Sequence, residues 1–443
     1  MNLTTALRMS STPRVAIVGG GGKTTTMFVL AHEYASPVIV AATAHMAIEQ
    51  LALADRHFFA NTPAELAERA LQLPDGITFF TGSENASHKT IGLTSVTARA
   101  VKELADRQQA PLFFEADGSK CLPLKAPAEH EPPIPDFVDN VIYVVGLSGL
   151  GQPLDADHVH RPERFANLSG LPIGEAVTPS AIAKVLTDPV GGLKNVPPTA
   201  RRIAVLNQAD TLMLQAQAQL IARQLLPTYH AVAITALKYQ QVFAVHEPTA
   251  GVVLAAGASI RMGQPKPLLA WHGEPFIRRV ARTAINAGLS PVVIVAGAHT
   301  AEIRLAVADL PVTVIHNPDW EAGQSTSLRC GLRALPDTIG SAVFLLADQP
   351  HIPIELVKAL KDRHAQALSP IVAPLIDDRR GNPVLFDRTT FVDLLSVTGD
   401  VGGRAVFAKY PTAYVPWHDA NLLLDVDTPE DYQRLRGLED QSI

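Results

Sequence analysis

Residues 251–271, GVVLAAGASIRMGQPKPLLAW, run from an apolar strand into a loop of small residues and then into spaced cations. That order reads as the first strand and phosphate loop of a nucleotide-binding domain. It begins past the midpoint of a chain of 443 residues, after a different glycine-rich loop, VAIVGGGGKTTT, at 15–26. Two nucleotide sites therefore need housing, and the length exceeds what one hydrophobic core usually fills. The seam is expected in VHEPTAG, residues 245–251, which predicts domains at 1–246 and 247–443.

The pattern around both loops is repetitive in kind. Short apolar runs (RVAIVG, PVIVAAT, PLFFEAD, NVIYVVG and RIAVLN in the first half; GVVLAA, PVVIVAG, VTVIHN, AVFLLAD and PIVAPL in the second) alternate with segments of helical period such as TTTMFVLAHEYA and SVTARAVKELADR. Alternation of this sort predicts an α/β class with two three-layer α/β/α domains and mainly parallel sheets. The first would be P-loop-like and the second Rossmann-like. In TPEDYQRL a proline and two acids follow Thr428, the composition of a capped helix start.

Bulk properties narrow the function. A net charge of -6 argues against nucleic acid or an anionic membrane as the main partner and favours small ligands. MNLTTALRMSSTPR lacks the apolar run of a signal peptide, and no stretch approaches a membrane span, so a cytoplasmic location is expected. Two cysteines, Cys121 and Cys330, lie in different halves and support neither a disulfide framework nor a thiolate zinc site.

In the first loop Gly19, Gly20, Gly21 and Gly22 lead into Lys23, Thr24 and Thr25. This is a shortened phosphate loop, in which glycines let backbone N–H groups converge on phosphate oxygens at a helix start. Lys23 would reach the terminal phosphates and Thr24 would ligate magnesium. LFFEADGSK ends a strand in Glu115 and Asp117, where carboxylates hold magnesium or its water, or are simply solvated loop acids. RIAVLNQAD places Asn207 and Asp210 as in the Asn-Lys-x-Asp element that reads guanine, but Gln208 replaces the lysine. ATP and GTP both stay open, and Asp210 serves equally as a helix cap.

The segments VGGGGKTT, TAHM, EADGSKCLPLKAPAEHEPPIP, VHRPERF and LNQAD, in this order over residues 12–245, resemble the YqeC family of accessory proteins for selenium-dependent molybdenum hydroxylases. The resemblance implies a nucleotide-binding domain linked to hydroxylase maturation, with a molybdenum hydroxylase apo-enzyme or its insertion chaperone as partner, and no defined reaction. His158 and His160 form an H-x-H pair, read as facing the surface or a phosphate rather than a metal. Lys120, Lys125 and Arg161 contact an anionic ligand or are ordinary solvated charge.

The stretch LAAGASIRMGQPKPLL resembles the signature of MobA-like nucleotidyltransferases. Leu254, Ala255, Ala256, Gly257 and Ser259 would lie against base and ribose. Arg261 and Lys266 would neutralise the triphosphate as pyrophosphate leaves. The resemblance also implies magnesium on Asp348 and Asp427, which offer hard oxygen ligands, with Asp425 a solvated neighbour. Asn317, Gly323, Ser325 and Ser327 are expected on the base side, with Trp320 as packing. Asn382, Asp400 and Arg404 would shape the acceptor side, and Cys330 is a small buried hydrophobe.

Within this family L-A-A-G resembles the cytidylyltransferases and L-A-G-G the guanylyltransferases, so Ala256 points to CTP. Both halves together imply the molybdenum cofactor, a molybdopterin, as acceptor. Its terminal phosphate is already largely ionised at neutral pH, so positioning and charge neutralisation by Arg261, Lys266, Asp348 and Asp427 carry catalysis. Two alternatives stand beside this: another phosphorylated acceptor, or a nucleotide-driven chaperone that inserts the cofactor.

Overall fold

The computed structural model describes residues 1–35, 37–69, 73–257 and 262–439. The chain divides into two compact units, Met1–His246 and Glu247–Ile443.

The first unit is built on one nine-stranded sheet: β1 (Arg14–Gly19), β2 (Val38–Ala42), β3 (Arg56–Phe59), β4 (Ile77–Thr81), β5 (Leu112–Glu115), β6 (Asn140–Gly146), β7 (Arg201–Asn207), β8 (Ala231–Ala236) and β9 (Gln241–His246). The strand order is β9-β8-β7-β6-β1-β5-β2-β4-β3. All pairs are parallel except β8 with β9. Every residue of β1, β5 and β6 is buried, as continuous apolar runs in a sheet covered on both faces should be. The glycine loop leaves the end of β1, at the centre of the sheet. Helix α1 (Lys23–His32) follows it directly, and Ile17 pairs with Glu115 across to β5. The chain thus brings the loop and its carboxylates to one edge, outside the carboxyl ends of parallel strands.

The second unit repeats the plan with changes. Its sheet contains β10 (Thr249–Ala255), β11 (Val292–Ala296), β12 (Thr313–His316), β13 (Ser341–Leu346), β14 (Ile371–Ile376), β15 (Arg379–Arg380), β16 (Val384–Asp387) and β17 (Thr412–Pro416). The order is β12-β11-β10-β13-β16-β14-β15, with β17 parallel to β14 off that path. Strand β10 shows why the layers form: Ala250 and Val252 belong to one buried cluster, Val253 and Ala255 to the other. One cluster holds Ile277, Val280 and Ala281 of α2 (Phe276–Asn286); the other holds Leu328 and Leu332 of α3 (Gln324–Arg333). A methyl group at Gly331 would lie 2.5 Å from Val252, so that glycine lets α3 settle on the sheet. Strand β16 runs antiparallel to both β13 and β14, a departure from an all-parallel layout. Its sequence, VLFD, is short and buried, and nothing in its period distinguishes strand direction.

Candidate nucleotide sites

In the second unit the side chains gather where β10 and β13 end. Ala347 N–H donates to the carbonyl of Leu254, which sets Asp348 beside the loop that follows β10. Lys266, on a short turn after Pro265, reaches both acids: its Nζ is 2.5 Å from Asp427 Oδ1 and 3.7 Å from Asp348 Oδ2. Asp427 is placed by the start of helix α4 (Pro429–Glu439). Thr428 Oγ1 accepts from Asp431 N–H, and the Asp431 carboxylate accepts from the N–H groups of Thr428 and Asp427, a reciprocal cap. Burial pushes the Asp348 carboxyl up to about 6; Lys266 opposes that rise and Asp425 adds to it. Asp425 is exposed yet accepts from Gln349 Nε2 at 2.6 Å, so it is not merely solvated.

Lys266 and Asp348 open on a cavity of about 770 Å³ lined also by Leu254–Gly257, Trp320–Gln324, Ser327 and Asp400, and Asp427 reaches it through Lys266. Two hard carboxylates converging on one ammonium fit a divalent cation such as magnesium. Ser259 and Arg261 lie outside the described residues. On the base side the sequence reading needs correction. Asn317 is buried and its amide is committed to the loop: Nδ2 donates to Thr326 Oγ1 (2.8 Å) and Ser327 Oγ (3.0 Å), and Oδ1 accepts from Asp319 N–H. It positions Ser327 rather than facing a ligand. Ser325 is fully buried and is not itself part of the cavity lining, although Gln324 before it is, and its Oγ has no hydrogen-bond partner among the described residues. Trp320 packs over Gly297, where a Cβ would come within 2.7 Å of its ring, and also forms part of the cavity wall. Cys330 sits half-buried at the edge of the core, and burial pushes its thiol up.

A second cavity of about 390 Å³ shares Leu254, Gln324 and Leu346 with the first. Asn382 and Arg404 line it, as do Arg379 and Arg380, which the sequence reading passed over. The Arg380 guanidinium lies 3.6 Å from the ring centroid of Phe407. The signal was present in RRGNP as two adjacent cations on a turn.

In the first unit Lys23 folds back over the glycine loop. Its Nζ donates to Gly19 O (3.0 Å) and Ser119 Oγ (3.2 Å) and lies 3.5 Å from Asp117 and 3.8 Å from Glu115. Thr24 Oγ1 donates to Glu115 Oε2 at 2.8 Å, so a hydroxyl and a carboxylate oxygen stand together as magnesium would require. Burial raises the Glu115 carboxyl, against the pull of Lys23. Gly22 stands at the N-cap of α1, so no side-chain cap takes up the first-turn N–H groups of Lys23, Thr24 and Thr25. Asn207 is buried against Gly21, whereas Asp210 is exposed.

Lys125 and Arg161 are not solvated charge. Lys125 is fully buried between Asp117 (2.7 Å) and Glu131 (2.8 Å), and Arg161 forks onto Glu131. Lys23, Asp117, Lys125, Glu131 and Arg161 thus alternate in sign from the loop outward; Glu131 is held down to about 2 against its burial by Arg161 and Lys125. His158 pairs with Asp155 at 2.7 Å, and burial and the Arg161 charge lower His160 to about 4. No cluster of three or more metal-binding side chains occurs among the described residues.

Residues 15–163 match the YqeC protein family, and 251–414 match the MobA-like NTP transferase domain. The YqeC protein of Escherichia coli K12 is 32% identical over 201 residues, covering 44% of this chain and 75% of that one. The chain belongs to the YqeC family. Joined to its YqeC domain is a MobA-like nucleotidyltransferase domain. That second unit is 30% identical to the purine catabolism protein PucB of Bacillus subtilis (42% of this chain, 95% of that one). It is 26% identical to the molybdenum cofactor cytidylyltransferase of Escherichia coli K12 (41% and 92%). Among the described residues of this YqeC-family chain no helix is long and apolar enough to cross a membrane.

Proposed function

We propose that residues 247–443 transfer CMP from CTP to the terminal phosphate of a molybdopterin-type molybdenum cofactor and release pyrophosphate. The observation that carries this reading is Lys266 held between Asp348 and Asp427 at the rim of a cavity floored by Leu254–Gly257. A phosphate oxygen of the acceptor attacks the α-phosphorus of CTP, and the bond from that phosphorus to the bridging oxygen of the β-phosphate breaks. Lys266 neutralises charge gathering on the leaving pyrophosphate, and Arg261 adds to it. Asp348 and Asp427 would hold magnesium, which would supply Lewis-acid charge to the phosphates. Ala255, Ala256, Gly257 and Ser259 border base and ribose, and Ser327 offers a hydroxyl there. The arginine-bearing cavity takes the anionic acceptor, with Arg379, Arg380 and Arg404 as counter-charge beside an aromatic wall. The name of the cytidylyltransferase relative supports both CTP and the cofactor.

For residues 1–246 we propose a nucleoside triphosphate site. Gly19–Thr25 would hold the phosphates, Thr24 with Glu115 the metal, and Asp117 the poise of Lys23. Its turnover would serve delivery of the finished cofactor to a molybdenum hydroxylase.

The test is pyrophosphate release by the full chain with magnesium, molybdenum cofactor and CTP or GTP. Cofactor-dependent release with CTP supports the transfer reading; release with neither nucleotide rejects it in favour of another acceptor or a chaperone role.

A further inference from the structure

Asn207 does one thing in the first unit that its place in the sequence does not reveal. Its side chain is 4% exposed and engaged at both ends of the amide: Nδ2 donates to the carbonyl of Gly21 at 3.0 Å, while Oδ1 accepts from Leu237 N–H at 3.0 Å and from Thr235 Oγ1 at 3.2 Å. A single amide therefore pins the phosphate loop to the turn that follows β8. The same two elements wall a cavity of about 880 Å³, whose lining includes Thr24 and Thr25 from the loop's helix and Leu237 and Gln240 from that turn. The cavity has room for a base and a ribose, and it starts where the phosphates would end.

Asp210 stands three residues further on, in the loop after β7. It is not the cap of the next helix, Leu212–Leu225: Thr211 takes that position, its side chain accepting from Leu214 N–H. Asp210 is exposed and has no hydrogen bond or ion pair among the described residues. Gln208, where a lysine was expected, accepts from Ser148 Oγ at 2.6 Å and so closes one side of the loop. The result is a rigid amide holding the loop to the turn and, three residues further along the chain, an exposed, unengaged carboxylate that is not itself part of the cavity lining.

A carboxylate offers two acceptors side by side. Guanine presents two donors in register with them, N1–H and the 2-amino group. Adenine presents an amino group next to the acceptor N1, which a carboxylate repels; cytosine does likewise at N3, and uracil sets its one N–H between two carbonyls. We propose that the YqeC unit binds a guanine nucleotide and that Asp210 reads the base. This rests on the proposed triphosphate site and names the ligand that site takes.

The experiment uses the full chain, and dependence on Lys23 separates binding in the first unit from binding in the second. Ribose-labelled GTP, ATP and XTP are titrated with magnesium, with and without Lys23→Ala and Asp210→Asn. Lys23-dependent binding is expected to be at least tenfold tighter for GTP than for ATP. Asp210→Asn is expected to weaken GTP at least tenfold and to strengthen XTP, because the carboxamide N–H donates to the 2-carbonyl of xanthine. Because Asp210 is exposed and holds nothing in the fold, this exchange reports recognition rather than stability. Lys23-dependent binding in which ATP equals GTP, or in which Asp210→Asn changes nothing, overturns the base assignment and leaves the triphosphate site standing. Absence of any Lys23-dependent binding overturns both.

Discussion

Lys266 Nζ lies 2.5 Å from Asp427 Oδ1 and 3.7 Å from Asp348 Oδ2, so one ammonium bridges the two carboxylates that would ligate a cation. The ammonium holds the acids together before any nucleotide arrives, and must yield to triphosphate and metal when they bind. A group whose contacts form mainly with the leaving pyrophosphate contributes to turnover more than to ground-state binding. Lys266→Ala is therefore expected to lower kcat for CTP-dependent pyrophosphate release by about 100-fold or more, with a change in KM for CTP of less than about tenfold. Steady-state kinetics decide it; a raised KM at unchanged kcat assigns the lysine to binding alone.

The burial of Asp348 sets a pH dependence, which Lys266 opposes. Asp348 is raised from its ordinary value of 3.8 to about 6, chiefly by burial. A raised carboxyl is protonated in the folded protein over a range where the unfolded chain has already lost its proton. Ionisation thus subtracts stability as pH rises from about 4, and the loss is complete above 6. A metal needs the ionised form, so magnesium affinity should climb as pH passes upward through 6. Titrating manganese as a magnesium substitute between pH 5 and pH 8 should show this rise in the unaltered chain and a weak, flat response in Asp348→Asn. The variant should also unfold at a higher temperature than the parent at pH 8, and with little difference at pH 4.

In the proposed reading base choice in the second unit turns on Ala256, which is 7% exposed and on the cavity wall. Its carbonyl oxygen lies 2.4 Å from where a Cβ on Gly297 would be, so the backbone there has little room to shift. Ala256→Gly removes one methyl group next to the base. A single methyl in such a pocket is worth about 1–3 kcal/mol, so the ratio of kcat/KM for GTP to that for CTP should rise about 5- to 150-fold. An unchanged ratio would place base selection elsewhere on the wall.

Much of this architecture is legible in the sequence, for identifiable reasons. The continuous apolar runs of β1, β6 and β10 can only be strands buried on both faces, and the glycine loops mark where they end. Strand β3 is obscured because RHFF is only half-buried, whereas β4 carries its own signal, since ITFFT is bracketed by the turn residues PDG and GS. In the sites, motif spacing locates Lys23, Thr24, Glu115, Lys266 and Asp348. It does not show which polar groups are already committed. Asn317 and Lys125 read as available for ligands, and the fold engages both internally. Conversely Arg379 and Arg380 line a cavity in which Arg380 lies over Phe407, a relation over 27 residues that no local pattern encodes.

The glycine loop offers a test of its own geometry. Gly22 has φ +119°, and a Cβ there would stand 2.5 Å from Asn207 Nδ2. Gly22→Ala must strain the backbone or push the Asn207 amide off Gly21 and Leu237. Either way the start of α1 moves, at a cost of about 1–3 kcal/mol. Lys23-dependent nucleotide binding should be lost, while CTP-dependent pyrophosphate release by the second unit continues. Retained binding would show that the loop tolerates rearrangement around Asn207.

The charge ladder behind the loop predicts a different failure. Lys125 is fully buried, its ammonium shared by Asp117 and Glu131. Lys125→Met keeps much of the volume but leaves two carboxylates close together with one cation fewer. Breaking a buried pair by removing one partner costs about 3–5 kcal/mol, much of it from the uncompensated charge left behind. Both Asp117 carboxylate oxygens also accept from Gly19 N–H, so displacement of Asp117 reaches the loop directly. Denaturant unfolding followed in the first unit should show its midpoint fall sharply for Lys125→Met. Lys125→Met combined with Glu131→Gln removes one of the stranded charges and should recover part of the loss. If the single variant unfolds like the parent, the ladder contributes specificity of packing rather than stability.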